Sequence, residues 1–301
     1  MGATLSGNIR DGQYAELSNG TRLHYASAGA PGKPLILFLH GFPEFWYAWH
    51  EQLAEFGRDY FAVAPDLRGF NLSSMPQDAS AYKARHIMED LRLFTGLLGY
   101  DKFDLVAHDW GGAIAWKFAT TSPGLLKHLV IINSPHHYLF MRALANDTPQ
   151  RQSSGYMNWL RAEGSEAALA KDGFALMDGF FNSMGQPQAK WYTPDVREKY
   201  HACWARGLTG GVNYYRASPL HPPTDDHPGP LKLDLKLEDN VVTVPTRVIW
   251  GENDLALPKS LLDGLDELVP DLRIERVPDG THWVIHEQPA LVNRLLHEFL
   301  D

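Results

Sequence analysis

One aspartate in this 301-residue chain stands where a nucleophile is expected. Residues 103–107 form a strand-like run that ends in the apolar residues 105–107, and Asp109 follows in the pattern Ala-His-Asp-Trp-Gly, just ahead of a helix-like segment at 113–119. A nucleophile between a small residue and a glycine, at a strand-to-helix junction, is the pattern of a nucleophile elbow. A carboxylate there attacks saturated carbon and leaves an ester on the enzyme. The predicted substrates are therefore epoxides or alkyl halides, ahead of ordinary esters.

An acid and a histidine follow Asp109 in the chain order of a hydrolase triad. Asp254 comes after the strand-like run 246–250, and His282 comes after a turn that ends the strand-like run 272–277. Active sites in open α/β sheets lie at the carboxyl ends of strands, so the three side chains can converge. We predict that His282 is the base and that Asp254 orients it. The structural alternatives are helix caps for Asp109 and Asp254, and a structural role for His282, one of 14 histidines.

The loop after the apolar run 35–39 reads His-Gly-Phe-Pro and predicts part of an oxyanion hole. Such a hole needs two backbone N–H donors, and we predict those of Phe42 and Trp110. A cis bond before Pro43 would shape the loop, since cis peptides are essentially confined to proline. We also predict that Trp110, Phe42 and Pro43 contact the substrate. The alternative is an ordinary strand-to-loop turn.

The surrounding pattern predicts an α/β protein with an inserted lid. Strand-like and helix-like segments alternate up to residue 133 and again from residue 246, as in βαβ units. Between them lie aromatic helical patches and a proline-rich loop. We predict a mostly parallel sheet with helices on both faces, built from residues 1–136 and 238–301, and a mainly helical lid at 137–237. Near the N-terminus, Asn19-Gly20 predicts a type I′ hairpin turn.

Composition argues against several classes of partner. The net charge of −9 disfavours nucleic acid and anionic membranes, and no apolar run reaches the roughly 18 residues of a membrane span. A single cysteine, Cys203, excludes an intrachain disulfide and a cysteine-based metal site, and is compatible with a reducing compartment. The N-terminus lacks the pattern of a secretory signal. We expect a cytoplasmic protein.

Together these motifs resemble the soluble epoxide hydrolase branch of the α/β-hydrolase superfamily. The resemblance rests on four strings: His-Gly-Phe-Pro-Glu at 40–44, Pro-Asp-Leu-Arg-Gly at 65–69, His-Asp-Trp-Gly-Gly at 108–112 and Gly-Thr-His-Trp at 280–283. It implies an α/β-hydrolase fold, with an epoxide and water as reactants and no metal or cofactor. It leaves open a monomer or a homodimer, and a role in detoxification or in the metabolism of one compound.

The resemblance also implies two lid tyrosines above the nucleophile. Tyr156, in Gly-Tyr-Met-Asn-Trp-Leu, matches the first, and Tyr215, in Val-Asn-Tyr-Tyr-Arg, matches the second. Tyr214 could replace Tyr215 from another side of a helix, and other lid aromatics could replace Tyr156. Ring opening leaves an alkoxide, to which a phenol with a pKa of about 10 can pass a proton. The implied cycle forms a hydroxyalkyl ester on Asp109, which water activated by His282 hydrolyses to a diol.

Rival functions use the same scaffold. A haloalkane dehalogenase shares the triad but binds halide through N–H donors; Trp110 and a lid tryptophan such as Trp159 could supply them, although dehalogenases often have Asn where this chain has Phe42. A haloacetate dehalogenase typically has arginine where this chain has Trp110. An esterase with an Asp nucleophile would pass through an anhydride, which is chemically awkward. A ligand-binding pseudoenzyme would tend to lack part of the site, whereas all five positions are filled here.

Overall fold

Eight strands form one sheet in the computed structural model, which describes residues 9–183 and 189–300. The predicted core and lid segments also include residues 1–8, 184–188 and 301, which lie outside the described residues. The strands are β1 (Arg10–Glu16), β2 (Arg22–Ala28), β3 (Leu35–Leu39), β4 (Phe61–Pro65), β5 (Phe103–His108), β6 (Leu126–Ile132), β7 (Thr246–Gly251) and β8 (Leu272–Val277). Their order across the sheet is β1-β2-β4-β3-β5-β6-β7-β8.

The sheet is mostly parallel, as the sequence predicts. Strand β2 pairs antiparallel with both β1 and β4, and every other neighbouring pair is parallel. All residues of β3, β4, β5 and β7 are buried. The continuous apolar runs of β3 and β4 predict this burial, because a parallel strand is covered on both faces.

The first hairpin differs from the prediction. A type I′ turn requires positive φ at both central residues, but in the pair Asn19-Gly20 only Gly20 has one, at 83°. The N–H of Gly20 donates to the carbonyl of Leu17 at 2.9 Å, and the Leu17 N–H donates to the carbonyl of Thr21 at 2.8 Å. The type I′ prediction is therefore wrong. The connection is a three-residue loop that closes on a left-handed glycine.

Two helix pairs form the layers around the sheet, and further helices form an insertion. The helices are α1 (His50–Phe56), α2 (Ala84–Leu97), α3 (Asp109–Thr121), α4 (His137–Asn146), α5 (Thr148–Ser153), α6 (Gly155–Arg161), α7 (Ser165–Ser183), α8 (Pro194–Trp204), α9 (Thr209–Ala217), α10 (Val284–Glu287) and α11 (Pro289–Leu300). Helix α1 packs against α11, and α2 packs against α3. Helix α7 is interrupted at residues 171–174, where the backbone leaves the helical conformation. Over residues 9–183 and 189–300, no helix has the length and apolar character needed to cross a membrane.

The insertion lies between β6 and β7. Its described residues hold the six helices α4 to α9 and no strand. Strand β6 nevertheless pairs directly with β7, with Leu129 opposite Thr246. The sheet is thus completed across the insertion, and the carboxyl ends of β5, β6 and β7 lie side by side beneath it. This is the edge at which open α/β sheets bind their ligands.

Candidate active site

The turn between β5 and α3 places Asp109 in a strained backbone conformation. Its φ is 49°, in the left-handed region that non-glycine residues rarely adopt. The turn is so tight that a Cβ on Gly111 would lie 2.4 Å from the carbonyl oxygen of Leu39. A Cβ on Gly112 would lie 2.4 Å from the Cβ of Ser134. The glycines that follow the aspartate are therefore steric requirements of the elbow.

The loop after β3 holds the Asp109 carboxylate from one side. The Phe42 N–H donates to Asp109 Oδ1 at 2.7 Å. A Cβ on Gly41 would lie 2.2 Å from the same oxygen, so the loop approaches the carboxylate closely only because glycine stands there. The peptide bond between Phe42 and Pro43 is cis, as predicted. Trp110, whose amide is the second predicted oxyanion donor, follows Asp109 in the first turn of α3.

His282 lies between two carboxylates. Its Nδ1 is 2.7 Å from Asp254 Oδ2, and its Nε2 is 3.6 Å from Asp109 Oδ2. Asp254 is held in turn by the Asn133 side-chain amide at 2.8 Å and by the N–H groups of residues 256 and 257, each at 2.9 Å. Asp254 is thus fixed by its own hydrogen bonds and can orient the imidazole.

The charges at this site depend on one another. Burial lowers the pKa of His282, but the carboxylates of Asp254 and Asp109 outweigh it and raise the pKa to about 10. Burial raises the pKa of Asp109, yet contacts with His282, His108 and the Phe42 N–H bring it below its ordinary value. At neutral pH the site therefore holds an ionised Asp109 opposite a protonated imidazole.

Two lid tyrosines share the cavity with Asp109. Tyr156 on α6 and Tyr215 on α9 have their ring centroids 6.2 Å apart. Burial and nearby charge raise the pKa of both phenols well above 10, so both are protonated at neutral pH. The neighbouring Tyr214 is directed elsewhere, because its hydroxyl donates to the carbonyl of Arg68 at 3.0 Å.

Asp109 borders two small cavities. One, of about 60 Å³, is lined by Trp110, Tyr156 and Tyr215 together with apolar side chains, and the other, of about 10 Å³, is lined by Phe42, Tyr156, Tyr215 and His282. Pro43, a predicted substrate contact, borders neither of these two cavities; its carbonyl accepts the indole N–H of Trp204 at 2.7 Å.

Trp159, the possible second halide ligand, is 42% exposed and lies outside both cavities around Asp109. Over residues 9–183 and 189–300, no group of three or more His, Cys, Asp or Glu side chains is arranged to hold a metal ion.

No sequence pattern predicts a role for Asn133, which anchors Asp254, or for Glu44 and His108. Glu44 is fully buried, and its carboxylate contacts His286 at 2.6 Å, Tyr200 at 3.0 Å and His108 at 3.2 Å. His108 donates through its other ring nitrogen to the His282 carbonyl at 2.8 Å. Their positions in the sequence could have indicated a role, because Glu44 and His108 lie within two of the motifs and Asn133 directly follows β6.

Comparison with known proteins finds α/β hydrolases, among them epoxide hydrolases, over nearly the whole chain. The α/β hydrolase fold family matches residues 34–289. Epoxide hydrolase 4 of Mus musculus is 34% identical over 94% of this chain and 77% of its own length. An α/β hydrolase superfamily protein of Bacillus subtilis, YfhM, is 33% identical over 94% of this chain and 96% of its own length. A crystal structure of Bacillus megaterium epoxide hydrolase bound to an inhibitor superposes with a TM-score of 0.88, at 35% identity, over 96% of this chain and 99% of that one.

Proposed function

This chain belongs to the α/β-hydrolase superfamily and, within it, to the epoxide hydrolase family, and from that premise we propose that it converts epoxides to vicinal diols through an ester on Asp109. The observation that carries the proposal is the arrangement of two protonated phenols, Tyr156 and Tyr215, in the cavity that also holds the Asp109 carboxylate. A nucleophile and proton donors in one cavity suit the opening of a three-membered ring.

In the first step, Asp109 attacks a ring carbon while Tyr156 and Tyr215 hydrogen-bond the epoxide oxygen. The carbon–oxygen bond breaks, and one phenol donates its proton to the leaving oxygen. The product is a hydroxyalkyl ester on Asp109. The imidazolium of His282 holds a proton that can restore the phenol, which would leave His282 neutral.

In the second step, neutral His282 takes a proton from water, and the hydroxide attacks the ester carbonyl of Asp109. The backbone N–H groups of Phe42 and Trp110 stabilise the oxyanion. Collapse of this intermediate releases the diol and regenerates the carboxylate. The ester carries no charge, so it no longer raises the pKa of His282, and the imidazole becomes a base only after the ester has formed.

The tyrosine pair favours an epoxide over an alkyl halide. A departing halide needs N–H donors and no proton, whereas an alkoxide needs a proton, and the cavity offers phenols. We also propose that Trp110 and Phe42 contact the substrate, and that residues 137–237 act as a lid on a core formed by residues 1–136 and 238–301. The six helices between β6 and β7 support this division.

Product analysis tests the proposal. The purified protein is incubated in parallel with styrene oxide, a 1-haloalkane and chloroacetate, and Asp109→Ala serves as the inactive control. We expect diol from styrene oxide without halide release from the other two. Halide release without diol would instead assign the site to dehalogenation and reduce the tyrosines to lid packing.

A further inference from the structure

Two arginines join the helices that carry the lid tyrosines. Tyr156 lies on α6 and Tyr215 lies on α9, and these two helices pack against each other. Arg161 is the last residue of α6, and Arg216 lies in the last turn of α9. Both arginines are partly buried, and the mechanism above uses neither of them.

Each arginine donates to carbonyl groups at the C-terminal end of the other arginine's helix. Arg161 Nη1 donates to the carbonyl of Tyr215 at 2.6 Å and to that of Ser218 at 2.9 Å. Arg216 donates through Nε to the Arg161 carbonyl at 3.2 Å and through Nη2 to the Ala162 carbonyl at 3.0 Å. The last carbonyls of a helix lack partners within it, and a cation at that end is stabilising. Arg161 and Arg216 thus form a reciprocal arginine clamp between α6 and α9.

The two arginines differ in their charged partners. Arg216 is paired with Glu166 at the start of α7, with Nη2 2.9 Å from Oε2 and Nη1 2.5 Å from Oε1. Arg161 forms no ion pair with any of residues 9–183 and 189–300, and burial lowers its pKa. A guanidinium nevertheless stays charged at neutral pH, and a partly buried cation is costly unless it is hydrogen-bonded. The carbonyls of α9 supply the hydrogen bonds that Arg161 needs.

Helix α6 depends on the arginine clamp for its position relative to α9. Helix α9 is anchored to the core, because the Tyr214 hydroxyl donates to the Arg68 carbonyl at 3.0 Å. In the described part of the chain, no side chain of α6 donates a hydrogen bond to the core, and Asn158 donates at 3.0 Å to a carbonyl within the insertion. The clamp therefore fixes α6 against the anchored α9, and with it the 6.2 Å between the ring centroids of Tyr156 and Tyr215.

We propose that Arg161 and Arg216 are positioning residues, which hold the two lid phenols at the spacing that ring opening requires. This inference rests on the proposed function, in which both phenols hydrogen-bond the epoxide oxygen. Neither arginine touches the substrate, and each acts through the helices that carry the tyrosines. Ester hydrolysis uses His282, Asp254 and the loop of Phe42, all in the core, and does not depend on the clamp.

Single-turnover kinetics with styrene oxide separate the two steps in variants of the clamp. Arg161→Met should slow formation of the Asp109 ester by about 10- to 100-fold, since a displacement of about 1 Å can cost about 100-fold. Ester hydrolysis should stay unchanged. Arg161→Lys should recover most of the loss, because Nη1 alone makes both bonds to α9 and an ammonium can replace it. Arg216→Lys should not recover the loss of Arg216→Met, because Arg216 donates through Nε, Nη1 and Nη2.

The matched control is Arg151→Met. Arg151 also lies in the insertion and donates to carbonyls at the end of a helix, those of Leu144 at 2.7 Å and of Ala145, but this helix is α4, which carries neither lid phenol. Arg151→Met should leave both steps unchanged. Equal slowing of ester formation in Arg151→Met and Arg161→Met, or equal slowing of both steps in Arg161→Met, would overturn the proposal, because either result indicates a general loosening of the lid.

A double-mutant cycle tests whether Arg161 acts through the pair of phenols. In Tyr156→Phe, the remaining phenol of Tyr215 is held through α9, so the position of α6 no longer matters for proton transfer. Adding Arg161→Met to Tyr156→Phe should therefore slow ester formation by less than about threefold. If the two separate effects multiply instead, Arg161 does not act through the phenols and the proposal is wrong.

The spacing also has a readout that needs no turnover. Fluorine-19 nuclear magnetic resonance of fluorotyrosine-labelled protein follows the two rings, with Tyr156→Phe and Tyr215→Phe identifying their signals among those of the 12 tyrosines. Arg161→Met should shift both signals, and Arg151→Met should shift neither. Unshifted signals in Arg161→Met would refute the clamp whatever the activity. Shifted signals, together with a wild type that forms no ester from any epoxide, would contradict the proposed function and leave the clamp in place.

Discussion

The strongest prediction concerns the proton on His282. Its Nε2 lies 3.6 Å from Asp109 Oδ2 in a buried site, and its pKa is raised to about 10. The change Asp109→Asn keeps the shape of the side chain and removes its charge, as formation of the ester would. The pKa of His282 should therefore fall in this variant.

The size of the fall follows from the distance. At 3.6 Å, two unit charges interact by about 4.6 kcal/mol at an effective dielectric constant of 20, and by about 1.2 kcal/mol in bulk water. Since one pKa unit corresponds to about 1.4 kcal/mol, the expected decrease is about one to three units. The His282 imidazole is then almost fully protonated at pH 8 in the wild type. In Asp109→Asn, a pKa decrease of about three units would make the His282 imidazole mostly neutral at the same pH.

Nuclear magnetic resonance of ¹⁵N-histidine-labelled protein, titrated from pH 5 to pH 11, measures this pKa. His282→Gln identifies the signal among those of the 14 histidines. Asp178→Asn, which removes a lid carboxylate 2.8 Å from His201, is the matched control and should leave the pKa of His282 unchanged. An equal pKa for His282 in the wild type and in Asp109→Asn would refute the conclusion that Asp109 retains this proton, and with it the switch of His282 to a base.

Three further results are expected. His282→Gln should accumulate the ester, seen as a mass increase equal to that of the whole epoxide on the peptide containing Asp109; a good substrate that gives no adduct contradicts the covalent route. Tyr215→Phe should slow ring opening by roughly 100- to 10,000-fold and ester hydrolysis far less, so equal slowing of both steps in single-turnover kinetics would point to a packing role. Gly111→Ala should lower the free energy of unfolding in urea by about 1–3 kcal/mol, because the new Cβ would lie 2.4 Å from a β3 carbonyl oxygen. Gly124→Ala, whose new Cβ would lie in open space, should not lower it.

The strands and the chain order of the proposed triad could be predicted because they depend on local patterns. Runs such as 35–39 and 60–64 are continuously apolar, which is typical of strands buried on both faces. Asp109, Asp254 and His282 each follow a strand-like run, and the sheet then brings them together. A rule about strand ends was therefore sufficient to predict their convergence.

Other features depend on long-range contacts that no local pattern contains. Asn133 looked like the end of a strand, and its bond with Asp254 depends on the pairing of β6 with β7 across the insertion. Tyr214 and Tyr215 are neighbours on one helix, so only the contact of Tyr214 with the Arg68 carbonyl shows which ring faces Asp109. The Asn19-Gly20 pair fits more than one turn, and the observed register of the hairpin decides between them.

The pairing of β6 with β7 also has a consequence for how the enzyme folds. Strand β6 ends at Ile132 and β7 begins at Thr246, and closing a flexible loop of that length costs about 4 kcal/mol in chain entropy. Helices that form early within the loop shorten it and lower this cost. Before closure, the chain has its proposed nucleophile, Asp109, but neither the proposed base nor the acid proposed to orient it. Two fragments divided within the insertion would each be inert, and recovery of turnover on mixing them would report their reassembly directly.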